Sequence, residues 1–578
     1  MKQHYDYLTF PIQWEDVALT EVFQAKLNDA KAAKLGDRIL TYEGFGSFHS
    51  PNIDDLMRSL DIGRPAPPSF FPSFARKILS NDDLERLGMF HPKSFPDVSK
   101  RILGGRQAKD ASEMSHHVTE YLKETDLSRN MIKHSEGGCT ACLHGACEDA
   151  MYSLCIDSNT QHAHSNDTIC VCPMGHEFRE KYFRITPSMT FINHGAFGSA
   201  LSGAIAIKHW YEEEIESEVV DFIDRKLFEL LVYSTSCIAH FVHADPKQLV
   251  IVQNATFGMN CAMELITEGD VVAYIDTEYL AVYNILLLRC QEVGAAYHEV
   301  ALSKYLHNEE IMGDDDALTE AICSQLPLGC TVMVIDYITS TTALCFPIFT
   351  HVIPALRQRG VSKIIVDGAH APLQVDLNFH SLPRESQPSV FTANLHKWFS
   401  SPKSVGFMWV REEDICKIQS VVRSHGATSG FHSKFMWIGT SDFGASLCIP
   451  ALVDFWKSQD CNRIRQCCTN LLVSAVDMLT RSFGTRKVAR RSSFMSLIEL
   501  PEALQSELAT ARYIQDLLHD FYKIEVPVKC VEGRLYVRIS AFVYNTPEEY
   551  VYLRESILSL SDQWVQSVKH REQVCSSR

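Results

Sequence analysis

From about residue 175 onward, short continuous apolar runs alternate with stretches in which apolar residues recur every three or four positions. The runs are QLVIV (248–252), DVVAYI (270–275), TVMVI (331–335), KIIV (363–366), SVFT (389–392) and GFMWV (406–410). Apolar strands separated by amphipathic helices predict a mainly parallel sheet covered on both faces. After about residue 445 helical patterns return. A hairpin-like pair then follows around 523–528 and 535–539, which predicts a smaller C-terminal α+β domain. Residues 1–173 break the pattern, with Pro/Phe clusters such as RPAPPSFFPSF (64–74) and a Cys/His-rich stretch at 134–172. Only short helical patterns near 14–35 and 111–124 stand out there. The expected division is an irregular N-terminal extension (1–173), a large α/β domain (174–445) and a small domain (446–578), to which the start of the large module also contributes.

Ligands of open α/β sheets bind beyond the carboxyl ends of the strands. After QLVIV comes Asn254-Ala255-Thr256-Phe257-Gly258, a small-residue turn into a helix start. Such a start offers free N–H groups and a positive dipole end to a phosphate. The later strands end in Asp276-Thr277-Glu278-Tyr279, in Asp336-Tyr337-Ile338-Thr339-Ser340, in Asp367-Gly368-Ala369-His370 and in Ala393-Asn394-Leu395-His396-Lys397. The strand ends thus deliver a phosphate cradle, an aromatic, a hydroxyl cluster, a carboxylate with a histidine, and a lysine.

Pyridoxal phosphate (PLP) needs this set. A lysine forms its Schiff base, a carboxylate keeps the pyridine nitrogen protonated, a helix N-terminus holds the phosphate, and an aromatic stacks on the ring. Taken singly, Asp367 reads as a turn residue, Lys397 as a solvated lysine, His370 and His396 as satisfied histidines and Tyr279 as packing. The order and spacing of the set carry the inference.

These residues lie in segments that resemble a known family. FINHGAFGS (191–199), QNATFGMN (253–260), DTEYLAV (276–282), ITSTTALCFPI (338–348), VDGAHAPLQVDL (366–377), NLHKWFSSPKSVGFMWVR (394–411), FMWIGTSD (435–442) and VRISAFVYNT (537–546) are similar to class V aminotransferase-type PLP enzymes of fold type I. The subgroup is that of isopenicillin N epimerase-like proteins and their C–S lyase relatives. The resemblance covers about two-thirds of the chain and implies a seven-stranded, mainly parallel sheet flanked by helices.

It also implies roles. Lys397 carries the cofactor and moves protons at Cα, Asp367 pairs with the pyridine nitrogen, and His370 contacts the phenolic oxygen, near which Ser340 falls. Tyr279 lies over the ring. Thr256 with the Ala255 and Phe257 backbone holds the phosphate, joined by Asn394 and His396. Gly439 and Thr440 reach the phosphate of a second subunit, which implies a homodimer with shared sites. Arg538 clamps the substrate α-carboxylate, a task suited to a planar guanidinium, and Asn193 and His194 line the substrate side. Two departures occur: Thr341 stands where relatives usually have proline, and Ala343 replaces a common glycine.

The motifs serve β-elimination, epimerisation and transamination alike. A C–S lyase acting on cysteine or a cysteine conjugate is the leading reading, because lyases are common among the relatives. An amino-acid epimerase, an aminotransferase and a non-catalytic PLP-fold scaffold are the alternatives. A desulfurase needs a nucleophilic cysteine on a mobile loop. Cys530, eight residues before Arg538, reads instead as a partly buried structural cysteine.

Composition narrows the partners. The 578 residues carry a net charge of −17, which disfavours nonspecific binding to nucleic acid or anionic lipid. No run reaches the ~20 apolar residues of a membrane span, and the first ten residues lack a signal-peptide core. Nineteen cysteines, mostly single, fit a reducing cytoplasm. Cys139 and Cys142 have a spacing zinc can use, but Cys170 and Cys172 are too tightly spaced for the usual second pair, so no metal is expected.

Overall fold

The structure is a computed structural model describing residues 174–428, 430–505 and 510–576. The expectations for 1–173, including the helical patterns and the four cysteines Cys139, Cys142, Cys170 and Cys172, lie outside these residues.

Among the described residues twelve strands are formed in chain order. They are β1 (Thr190–Phe191), β2 (Leu249–Val252), β3 (Val271–Ile275), β4 (Ala296–Val300), β5 (Val332–Asp336), β6 (Lys363–Asp367), β7 (Val390–Asn394), β8 (Gly406–Val410), β9 (Met495–Glu499), β10 (Ile524–Glu525), β11 (Val528–Val531) and β12 (Arg534–Ser540). Seven of them make one sheet in the order β2-β8-β7-β6-β5-β3-β4. Only β8 runs against its neighbours; the β7-β6-β5-β3-β4 ladder is parallel. The central strands β5, β7 and β8 are buried at every position. They read as unbroken apolar runs because helices cover both faces.

β4 was not among the expected runs. Its residues, AYHEV, are exposed at all but the last position, as befits a polar edge strand. At the other end of the chain, β9, β12 and β11 form a three-stranded antiparallel sheet. The expected hairpin exists, but its first strand begins at Val528, where the predicted one ends. Ile524 and Glu525 instead pair in parallel with Thr190 and Phe191. The segment before the large sheet is therefore sewn to the C-terminal region, helped by Gly175 N–H donating to the Val543 carbonyl. Ile192 belongs to the same apolar cluster as Val537 and Ile539.

Among the described residues no helix is long and apolar enough to cross a membrane.

Candidate active site

The parallel strands all end at one edge of the sheet, and that edge gathers the expected groups. Asp367 is the last residue of β6, His370 lies in the turn after it, and Lys397 lies three residues beyond β7. Lys397 Nζ stands 3.0 Å from His370 Nε2. The other ring nitrogen, Nδ1, receives the Trp398 indole N–H at 3.2 Å. An indole nitrogen can only donate, so Nδ1 is the acceptor and the proton of the neutral ring sits on Nε2, facing the lysine. Burial, with Lys397 and Arg538 nearby, holds the His370 pKa well below its ordinary value. Desolvation likewise pulls the Lys397 amine down to about 8; Arg538 pushes the same way, while Asp367 and Asp336 oppose. A neutral amine is what can accept from His370 Nε2–H and act as a nucleophile.

Asp367 is buried, and its Oδ1 accepts from the Ala369 N–H at 2.8 Å. Burial raises its pKa, and the Ala369 N–H and Lys397 counter that rise. Two acids that sequence reasoning did not single out stand beside it: Glu278 after β3 and Asp336 at the end of β5. Carboxylate oxygens of the three lie within 4.8 Å of one another. At that separation two unit charges repel by roughly 3 kcal/mol for an effective dielectric of about 20. Burial, then the Asp367 charge, pushes Glu278 up to about 8. Asp336 is raised well above its usual range by burial and by its two acidic neighbours.

The helix Ala255–Met263 begins at the end of β2 and is capped by Asn254, whose Oδ1 accepts from Phe257 N–H at 2.8 Å. Ala255 N–H donates to Asn394 Oδ1 at 2.8 Å. Both backbone amides expected to hold phosphate are thus already engaged by side chains of the protein. Thr256, at the same helix start, is exposed. His396 Nδ1 is buried without a hydrogen-bond partner, and burial pulls its pKa to about 4.

Arg538, on β12, is buried and donates to the Ser340 carbonyl, while its Nε has no partner. Ser340 therefore meets the site through its backbone as an anchor for Arg538. Asn193 Nδ2 donates to Glu525 at 3.0 Å, and its buried Oδ1 is unpartnered.

His194 departs from expectation. It is fully buried, its Nδ1 is 2.7 Å from the Tyr544 hydroxyl and its Nε2 is 3.0 Å from the Lys397 carbonyl. The ring also stacks on Phe542 at 4.1 Å. With both nitrogens consumed it cannot line a substrate; it holds the lysine's backbone from behind. The loop it opens approaches closely: a Cβ on Gly198, at φ 67°, would lie 2.1 Å from the His396 carbonyl oxygen.

Tyr279 is 44% exposed at the start of the helix Leu280–Val293. It stands at the sheet edge as a free aromatic rather than a packed one. Gly439, at φ 118°, and the exposed Thr440 lie between Ile438 and Ser441. Those two line a cavity of about 240 Å³ together with Phe257. Cys530 is exposed, not partly buried as expected. Its cross-strand partner is Leu535, so it shares that residue's sheet face and lies opposite Arg538.

The unpartnered buried atoms suit PLP. His396 Nδ1, Arg538 Nε and Asn193 Oδ1 are buried polar atoms left without partners, and such groups normally find a ligand or water.

No protein-family model matches the chain. Curated relatives are similar over about two-thirds of it. The probable chloroplastic L-cysteine desulfhydrase of Arabidopsis thaliana is 26% identical over 413 residues, covering 66% of this chain and 85% of the relative. The isopenicillin N epimerase of Amycolatopsis lactamdurans is 24% identical over 404 residues, covering 65% and 96%. Among solved structures, the cystine C–S lyase C-DES, in complex with cysteine persulfide, superposes with a TM-score of 0.54 at 15% identity, covering 64% of this chain and 97% of that one. The cysteine desulfurase of Thermococcus onnurineus NA1 gives a TM-score of 0.54 at 14% identity, covering 68% and 100%. The fold is that of the fold type I PLP enzymes. Within that class, the relatives carry the two names to which the motif resemblance points: L-cysteine desulfhydrase and isopenicillin N epimerase.

Proposed function

We propose that the protein is a PLP-dependent enzyme acting at Cα of an amino acid, and that its reaction is β-elimination of sulfur from cysteine or a cysteine conjugate. The observation that carries the PLP reading is the desolvated Lys397 amine, held 3.0 Å from His370 Nε2 with the Asp367 charge acting on it. Bound PLP would supply an electron sink for charge developing at Cα. Lys397 Nζ would anchor the cofactor and then take the Cα proton. Asp367 would hold the proton of the pyridine nitrogen, and His370 Nε2–H would donate to the phenolic oxygen. Thr256, Asn394 and His396 would hold the phosphate, Tyr279 would cover the ring, and Arg538 with Asn193 would orient the substrate carboxylate.

The desulfhydrase names among the relatives support the lyase outcome, and the epimerase names keep epimerisation as the second reading. A desulfurase is disfavoured, because Cys530 sits within a paired strand on the face opposite Arg538. The proposed assembly is a homodimer sharing sites through Gly439 and Thr440. The proposed domains are 174–445 and 446–578, with 174–192 joining the latter. The proposed compartment is the cytoplasm, consistent with the free thiols of the cysteines from Cys237 to Cys530.

The test is incubation of PLP-loaded protein with L-cysteine and its conjugates, assaying sulfide, thiol and pyruvate. Release of these products is expected. Racemised substrate without them would favour the epimerase, and protein that stays colourless with PLP would favour a scaffold.

A further inference from the structure

Three carboxyls at adjacent strand ends are more than one cofactor nitrogen requires. Asp336 and Asp367 are register partners at the ends of β5 and β6. Glu278 follows β3, the other neighbour of β5. All three are buried. Glu278 spends one oxygen, Oε1, on the Tyr279 N–H at 3.1 Å, and Asp367 spends Oδ1 on Ala369 N–H. Glu278 Oε2 and Asp336 Oδ2 are then left buried without any N–H or O–H donor. Two carboxylates cannot satisfy each other, because an ionised carboxyl only accepts. One proton between them satisfies both oxygens at once, as an acid–carboxyl hydrogen bond.

We propose that Glu278 and Asp336 are positioning residues that hold a proton between their carboxyls, so that the trio presents Asp367 as its carboxylate to the cofactor's ring nitrogen. This rests on the PLP reading for its purpose, though not for the proton itself. The charged and titratable groups around the trio agree. Lys397 faces both Asp336 and Asp367, and Arg538 and His370 stand next to Lys397. Even with the Lys397 amine protonated, it and Arg538 beside a neutral imidazole cannot balance three buried anions. Protonating the pair brings the site close to neutrality. Desolvation acts in the same direction on both acids.

The consequence is a site that gains negative charge only when the pair ionises at higher pH. Added negative charge beside Asp367 would favour protonated neighbours, raising the pH at which the PLP-loaded protein changes colour. Asp336→Asn and Glu278→Gln imitate the protonated partner but cannot ionise.

The experiment compares wild type, Asp336→Asn and Glu278→Gln, without and with PLP. Infrared spectra of the protein without PLP at neutral pH are expected to show a protonated carboxylic C=O stretch that either substitution removes. In PLP-loaded protein the midpoint of the visible-band titration is expected to fall by about half a pH unit or more in either variant. If the infrared stretch is missing in wild type, or survives in both variants, the shared proton is overturned. If the stretch behaves as expected but the visible midpoint stays where it is in wild type, the link to Asp367 is overturned. If no visible band forms in wild type, the PLP reading fails, while the infrared result still decides the proton. Should one variant not fold, the other gives the same readouts.

Discussion

The indole N–H of Trp398 donates to His370 Nδ1 at 3.2 Å, so the residue next to the site's lysine dictates which nitrogen of the site's histidine carries the proton. Only with that tautomer does Nε2–H point at Lys397 Nζ. Trp398→Phe keeps most of the buried ring but removes the donor. The histidine is then free to place its proton on Nδ1. A neutral hydrogen bond contributes about 1 kcal/mol, so kcat is expected to fall roughly fivefold. The midpoint of the visible titration should shift as well, since His370 Nε2 would face the cofactor oxygen as an acceptor. A variant with wild-type kcat and midpoint would show that the tautomer is set elsewhere.

The lysine should be reactive at unusually low pH. Its amine is pulled down to about 8, first by desolvation. Only the neutral amine attacks an aldehyde, so its reactive fraction is small below that value and levels off above it. The rate of PLP uptake by cofactor-free protein is therefore expected to rise with pH and reach half its plateau near 8. A free lysine, with its ordinary pKa near 10.4, would keep gaining rate through pH 10. Stopped-flow growth of the visible band measures this, and Lys397→Ala should show no such band.

Much of this was readable from the chain, for reasons tied to burial. β5 to β8 are covered on both faces, so their apolar runs stand out. The turns after β6 and β7 carry Asp367, His370 and Lys397 in an order that chemistry recognises. β4 was silent because an exposed edge strand needs no apolar run. The small sheet's hairpin was legible, but not its register: Ile524 and Glu525 are strand-like yet pair with β1, more than 300 positions earlier in the sequence. Nothing local marks Glu278 and Asp336, because a lone strand-end acid reads as a turn residue. Their meaning comes from neighbouring strands that bring three acids together. The burial of His194 is hidden in the sequence for a related reason. Its partners Tyr544 and Phe542 lie some 350 residues away, so nothing local marks it as buried.

Ala343 stands at φ 58°, in the left-handed region that favours glycine. An L-residue with a Cβ is strained there by about 1–2 kcal/mol, and glycine returns part of that gain as chain entropy in the unfolded state. Ala343→Gly is thus expected to stabilise the protein by about 0.5–1 kcal/mol, read as a higher urea midpoint at unchanged slope. The methyl is fully buried, so a lower midpoint would mean that its packing outweighs the backbone strain.

Arg538 tests the substrate side. Its guanidinium is buried, anchored through one nitrogen to the Ser340 carbonyl, and leaves Nε unpartnered. Burial lowers its pKa to about 10, so it remains charged at neutral pH. A planar fork held at one corner can offer its other N–H groups side by side to an α-carboxylate. Lysine at this position would keep the charge but lose the fork and the Ser340 anchor. The loss of one charge-assisted hydrogen bond is about 2 kcal/mol, or roughly a 30-fold rise in KM for L-cysteine. Because the carboxylate is bound equally before and during reaction at Cα, kcat should change much less than KM. PLP content should match wild type in the Arg538→Lys protein. A variant that loses kcat at unchanged KM would place Arg538 against the reacting atoms instead of the carboxylate, and one that loses PLP would place it in the cofactor site.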